Sequence, residues 1–289
     1  MSPRLFNRPG VNAPNVRPSP IAGQWYPGTP GLLRERVQAY LDAAKVESLD
    51  GRLVALVAPH AAHRYSGSVA AYAFQLVKGA HYDVVAIVAP NHRIANTAPY
   101  LTTSHEAYWT PLGEVPLDEE LVAALDARLG LTRVSRDEEH SLEIQLPFLQ
   151  VALAEGFRLL PVMLNDQSEK TCYALGEALA ELLRDRNALL VASTDLSHFY
   201  DAEAAAHLDG AVTDRLAAFD PEGLLHVLTT GTGRACGGGP TVAVMLAARS
   251  LGANRAKLLN YATSGDVTGD YHSVVGYAAA VLYQEANDI

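Results

Sequence analysis

Apolar residues along the chain fall into two kinds of run. Leu53 to Ala58, Val84 to Ala89 and Leu189 to Ser193 are short, unbroken and rich in β-branched residues. That pattern predicts strands buried on both faces of a parallel sheet. Arg158–Leu164 reads as a further strand, and Lys257–Thr263 and Ser273–Tyr283 as closing strands. Between them the apolar spacing turns helical. It predicts helices at about Leu32–Ala44, Gly67–Val77 with Ser66 as N-cap, and from the Asp118 cap to Leu129. Further helices are predicted at Asp137–Ala154, Glu169–Leu183, Ala202–Ala218, Pro221–Leu228 and Thr241–Ser250. Leu101–Val115 reads as two extended segments around a Pro111-Leu112-Gly113 turn. Alternating strands and helices, with no internal repeat, predict one α/β domain over residues 21–289: a central, mostly parallel sheet flanked by helices. Residues 1–20, rich in Pro and Asn, read as an extended N-terminal arm.

Each of the first three strands runs into a histidine: Pro59-His60, Pro90-Asn91-His92, and Thr194-Asp195-Leu196-Ser197-His198. Open α/β sheets bind ligands at the carboxyl ends of their strands, so three imidazoles from distant parts of the chain are expected to converge there. Imidazole is the commonest protein metal ligand and the usual acid/base group near neutral pH. His60 and His92 follow matching Ala-Pro pairs and suit a pair of metal ligands. Cys236, in Ala235-Cys236-Gly237-Gly238-Gly239-Pro240, precedes a helix whose N-terminus would stabilise a thiolate. It is a candidate third ligand or nucleophile, whereas Cys172, mid-helix among apolar neighbours, reads as core. Asp195 could orient an imidazole or serve only as an N-cap. His140 and Glu143 open an apolar helix, where capping explains them, though His140 is kept as a candidate substrate-binding residue. His63 and Tyr65 lie close enough to His60 to reach the same pocket.

Composition narrows the classes. The formal net charge of −10 over 289 residues argues against a nucleic-acid surface. No apolar run reaches membrane-spanning length, and the first residues lack a secretory pattern, so a cytoplasmic protein without a membrane anchor is expected. Two cysteines do not make a disulfide scaffold. A phosphate loop, a dinucleotide fingerprint and a nucleophile elbow are all absent.

Several motifs taken together resemble one family. They are Gly23-Gln24-Trp25-Tyr26-Pro27, Ala58-Pro59-His60, Arg64-Tyr65-Ser66-Gly67, Pro90-Asn91-His92, Thr110 to Val115, Glu138 to Phe148, Ser193 to His198, Cys236-Gly237 and Ser264 to Asp270. In this order, over about residues 18–285, they resemble the Memo family, whose bacterial and archaeal members are called AmmeMemoRadiSam system protein B. The resemblance implies a fold similar to the LigB-type class III extradiol dioxygenases, which are non-haem iron enzymes. It also implies a mononuclear metal site of His60, His92 and Cys236, with His198 as acid/base group, Asp195 beside it, and Trp25 lining the pocket. Iron or copper and redox chemistry are associated with the family, and its animal member with phosphotyrosine-peptide binding.

Two departures bear on this. The dioxygenases place a carboxylate where this chain has Cys236, and a thiolate favours copper or zinc over an iron triad. The family's usual Ala-Gly-Tyr is here Ala61-Ala62-His63, and its Ser-His-His is here Asn91-His92-Arg93. Three functions are therefore expected to compete. The first is a metal-dependent oxidoreductase, dioxygenase-like, acting on a small molecule. The second is a non-catalytic pocket binding a peptide or anionic ligand through Arg93, Arg64 and Trp25. The third is hydrolysis by a Cys236 nucleophile with His198.

Overall fold

The structure is a computed structural model describing residues 15–286. Its strands are β1 (Val16–Arg17), β2 (Gly51–Ala58), β3 (Val84–Pro90), β4 (Tyr100–Thr103), β5 (Ala107–Thr110), β6 (Gly113–Pro116), β7 (Thr132–Val134), β8 (Arg158–Leu164), β9 (Ala188–Ser193), β10 (His198–Tyr200), β11 (Arg255–Thr263) and β12 (Val274–Glu285). Its helices are α1 (Pro30–Ala43), α2 (His63–Gln75), α3 (Glu119–Leu129), α4 (Leu146–Ala152), α5 (Glu169–Leu183), α6 (Ala202–Ala217), α7 (Pro221–Thr230), α8 (Gly238–Ser250) and α9 (Gly265–Thr268).

A nine-stranded sheet runs β10-β12-β2-β9-β3-β8-β4-β7, with β11 added on β12. The expected parallel character holds at its centre, where β2, β9, β3 and β8 pair in parallel. Towards the margins the sheet is mixed: β12 is antiparallel to β2 and β11, and β4 to β8. Every residue of β3 is buried, and β2 and β9 are buried over their carboxyl halves, as their unbroken apolar runs require. Helix α8 lies against β2, β3 and β9 and is buried on all sides over Gly238–Ala248, where Thr241 is the one polar side chain. Helix α2 covers β2, β11 and β12.

Two expectations change. Residues 1–14 of the predicted arm lie outside the described residues, but Val16–Arg17 is a strand paired with β5 in a separate three-stranded sheet. Arg17 is fully buried, ion-paired to Asp137 (2.7 Å) and Glu143, and stacked 4.6 Å over Tyr108. Val16 and Arg17 are thus packed against the rest of the described chain. The second change is the helix expected from Asp137. Residues up to Leu142 are non-helical, a 3₁₀ turn spans Glu143–Gln145, and α4 follows. The cause is side-chain competition for backbone donors. Asp137 accepts from Glu139 N, and Glu139 accepts from the N–H groups of His140 and Ser141.

Candidate functional site

The parallel centre brings the carboxyl ends of β2, β9 and β3 to one edge, with β9 between the two histidine-bearing strands. His60 leaves β2, His92 leaves β3, and Asp195 and His198 follow β9. Cys236 arrives from the loop between α7 and α8 and approaches the end of β9 closely. Its backbone N–H donates to Asp195 O (3.1 Å), and Gly237 N donates to the Thr194 hydroxyl (3.0 Å). A Cβ at Gly237 would fall 2.1 Å from Ser193 O, so the backbone can dock here only without a side chain. Gln167 clips the same loop, donating to Cys236 O and accepting from Gly239 N.

The result is one cluster. A ring nitrogen of His60, one of His92 and the Cys236 sulfur all lie within 4.8 Å of one another. His60 Nε2 stands 3.1 Å from Cys236 Sγ, and the His60 and His92 rings meet edge to face at 5.2 Å. Burial and the neighbouring imidazoles of His140 and His92 hold His60 well below its ordinary pKa, so its ring is neutral at pH 7 and able to ligate. Burial, and next the Asp195 carboxylate, push the Cys236 thiol well above its ordinary range. The thiolate stabilisation expected from the helix N-terminus is therefore outweighed, and an unassisted Cys236 nucleophile is disfavoured. The neutral imidazole of His60, the imidazole of His92 and a thiol that only a bound cation would ionise are a donor set suited to a borderline or soft transition ion.

Glu139 went unassigned in the sequence. Its buried carboxylate accepts from the backbone N–H groups of His92, Arg93, His140 and Ser141. It also faces Nδ1 of His92 (3.4 Å) and of His140 (3.0 Å). Burial raises its pKa, but hydrogen bonds from His140 and His92 outweigh that and hold it far below the carboxylate range. Glu139, His92 and His140 form a second close group of donors. With four backbone donors on it, Glu139 is already satisfied and serves as an anionic backstop for both imidazoles.

Asp195 accepts from the N–H groups of His60 and Ala61 at 2.7 and 3.3 Å, so it caps the end of β2 rather than its own segment. Burial raises its pKa against those bonds. His198 Nδ1 lies 2.9 Å from Leu196 O, which can only accept. In the neutral ring that carbonyl, and not Asp195, therefore fixes the proton on Nδ1. Phe199 beside it holds a left-handed backbone (φ 66°) and is 77% exposed at the cavity rim.

Above the cluster opens a cavity of about 840 Å³ lined by His60, His92, His140, Asp195 and His198 together with Trp25, Tyr65, Arg64, Arg93 and Phe199. Trp25 packs on His140 at 4.2 Å. Arg93 stacks over Trp25 and Arg64 over Tyr65. His63 is the expected pocket residue that the fold takes elsewhere. It is buried against Phe148 and Tyr26 with Nε2 on Ile144 O, and it does not line the cavity. At the start of α2 its neighbours Ala62 and Arg64 line the cavity, while its own ring turns into the core. The Gly-Asp stretch after β11 contributes Ser264, Thr268 and Asp270 to the opposite wall.

An α/β sheet whose strand ends assemble a His, His, Cys cluster under an open cavity defines a candidate metalloprotein. A family model described as Memo-like protein matches residues 17–281, and the chain belongs to that family. MEMO1 family proteins are similar along nearly their whole length: 38% identical over 275 residues in Methanopyrus kandleri (91% of this chain, 97% of that one), and 35% over 273 in Nitrosopumilus maritimus (91% and 98%). Another, from Methanosarcina mazei, is 36% identical over 274 residues, 92% of this chain and 99% of that one. An uncharacterized protein of Escherichia coli K12 superimposes with a TM-score of 0.46 at 15% identity, over 80% of this chain and 100% of that one. No helix among the described residues is long and apolar enough to cross a membrane.

Proposed function

We propose that the protein is a metal-dependent oxidoreductase with a mononuclear His60, His92 and Cys236 site, acting on a small molecule held in the cavity above it. The observation that carries this reading is the convergence of three ligand atoms within 4.8 Å, two of them on His60 and His92, which line that cavity. A bound iron or copper ion would supply one-electron and dioxygen chemistry, which no side chain here can supply alone. Zinc fits the same donors and would limit the site to polarising a substrate oxygen.

The chain's own residues have separable roles. His198, protonated on Nδ1 towards Leu196 O, offers Nε2 to take a proton from a substrate hydroxyl and return it later. Asp195 fixes the backbone that carries His60. Trp25, Tyr65 and Phe199 give apolar and aromatic walls, which suits a planar substrate. Arg64 and Arg93 make no ion pair with a carboxylate among the described residues, and each stacks on a cavity aromatic. They would orient an anionic group of the substrate.

That last observation also favours the second reading, a non-catalytic pocket for an anionic ligand or short peptide. Oxygen consumption separates the two. The metal-loaded protein should consume oxygen with a catechol or another small aromatic from a screen, and His198→Ala should lower the rate by about 10²–10⁴ while keeping its metal. Loaded protein that binds aromatic anions yet consumes no oxygen with any of them supports the binding pocket instead.

A further inference from the structure

Which nitrogen of His60 faces the cluster is decided by a buried chain of hydrogen bonds on its far side. His60 Nδ1 lies 3.0 Å from the Ser193 hydroxyl. That hydroxyl has one hydrogen and two lone pairs. Its oxygen is 2.6 Å from Ser141 O, and a carbonyl oxygen so close must be receiving the hydroxyl hydrogen. Gln145 Nε2 approaches the same hydroxyl at 2.8 Å as a donor. The orientation of the Gln145 amide is fixed independently, because its nitrogen also reaches Pro59 O at 3.0 Å, an atom that only accepts. With its hydrogen directed at Ser141 O and one lone pair taken by Gln145, the Ser193 oxygen can meet His60 only as an acceptor. His60 must then carry its proton on Nδ1, which leaves the Nε2 lone pair facing Cys236 Sγ.

We infer that Ser193 and Gln145 are positioning residues that lock His60 in the Nδ1-protonated tautomer before any ion arrives. Ser193, Gln145, Ser141 and His60 are each at most 2% exposed, so water cannot replace the bonds or scramble the tautomer. The chain also ties three segments together: the end of β2 at Pro59, the last residue of β9, and the Ser141–Gln145 turn. Without it, His60 would be free to place its proton on Nε2 and donate to the sulfur 3.1 Å away. That tautomer has no lone pair for an ion shared with Cys236. Partners of this kind behind a ligating imidazole change metal affinity by about 10–100-fold.

The test reads the tautomer directly. Long-range ¹H–¹⁵N spectra of the metal-free protein should show His60 with a pyrrole-like Nδ1 and a pyridine-like Nε2. Ser193→Ala should move His60 towards the Nε2-protonated form and weaken Zn²⁺ binding, measured by chelator competition, by about 10–100-fold. Ser193→Thr, which keeps the hydroxyl, should retain both properties. Gln145→Leu should give the same tautomer shift in smaller measure. A wild-type His60 protonated on Nε2, or a folded Ser193→Ala protein with unchanged tautomer and affinity, overturns the inference. The wild-type spectrum decides even if a variant fails to fold. The metal role of His60 is assumed only in the second readout. A wild-type protein that binds no Zn²⁺ would refute that role and leave the tautomer result standing.

Discussion

His63 should make the fold acid-sensitive in a way that can be assigned to one side chain. It is buried at the start of α2, one ring nitrogen on Ile144 O and the other, Nδ1, without a hydrogen-bond partner. Burial lowers its pKa from the ordinary 6.5 to about 4, against a smaller opposing effect of the Ile144 carbonyl. In the unfolded chain the ring takes a proton near 6.5, while in the folded chain it resists until about 4. Between those values the unfolded state binds more protons, so stability rises with pH. The contribution is complete above 6.5 and is lost as pH falls through the window down to about 4. The gap of about 2.5 pH units corresponds to about 3 kcal/mol, of which about 1.4 kcal/mol is lost by pH 5.5. His63→Gln keeps a donor for Ile144 O but does not titrate. Urea unfolding of both proteins, metal-free, at intervals from pH 7.5 to 4 isolates the effect, because other buried groups cancel in the comparison. Wild-type stability should fall about 3 kcal/mol further than that of His63→Gln. Parallel stability curves would refute the burial argument for His63.

Other outcomes follow from the same contacts. Arg17→Met should destabilise the protein by about 3–5 kcal/mol in urea unfolding, because it leaves Asp137 and Glu143 buried without their cation. Metal uptake at pH 7 in weak buffer should release at least one proton per ion, that of Cys236, since the thiol is held protonated; a pH-stat measures it, and no release would contradict a protonated Cys236. Gly237→Ala should abolish metal binding or folding, because its Cβ would meet Ser193 O at 2.1 Å; a folded variant with unchanged affinity would show that the loop has room.

Much of the frame was legible from apolar runs. β8 and α5 fall on their expected residues, and the three strand ends carrying His60, His92 and His198 lie on one edge as their parallel pairing demands. What pattern alone could not show is where polar side chains are spent. Asp137 and Glu139 read as the start of a helix, yet they capture backbone donors and break it. Arg17 sits in a stretch that reads as an arm, and only its distant partners Asp137 and Glu143 make its burial possible. His63 lies three residues after His60, but the turn into α2 sends it into the core. Ser193 and Gln145 carry no sequence signal as ligands. The one available clue was position, a hydroxyl ending an apolar strand whose neighbour ends in histidine.

The central claim is the ion itself. Protein purified anaerobically should contain about one equivalent of iron or copper, and His60→Ala and Cys236→Ala should both lose it. A wild-type protein that holds no metal, even after reconstitution with either ion, would contradict the account and leave a pocket whose ligand must be found directly.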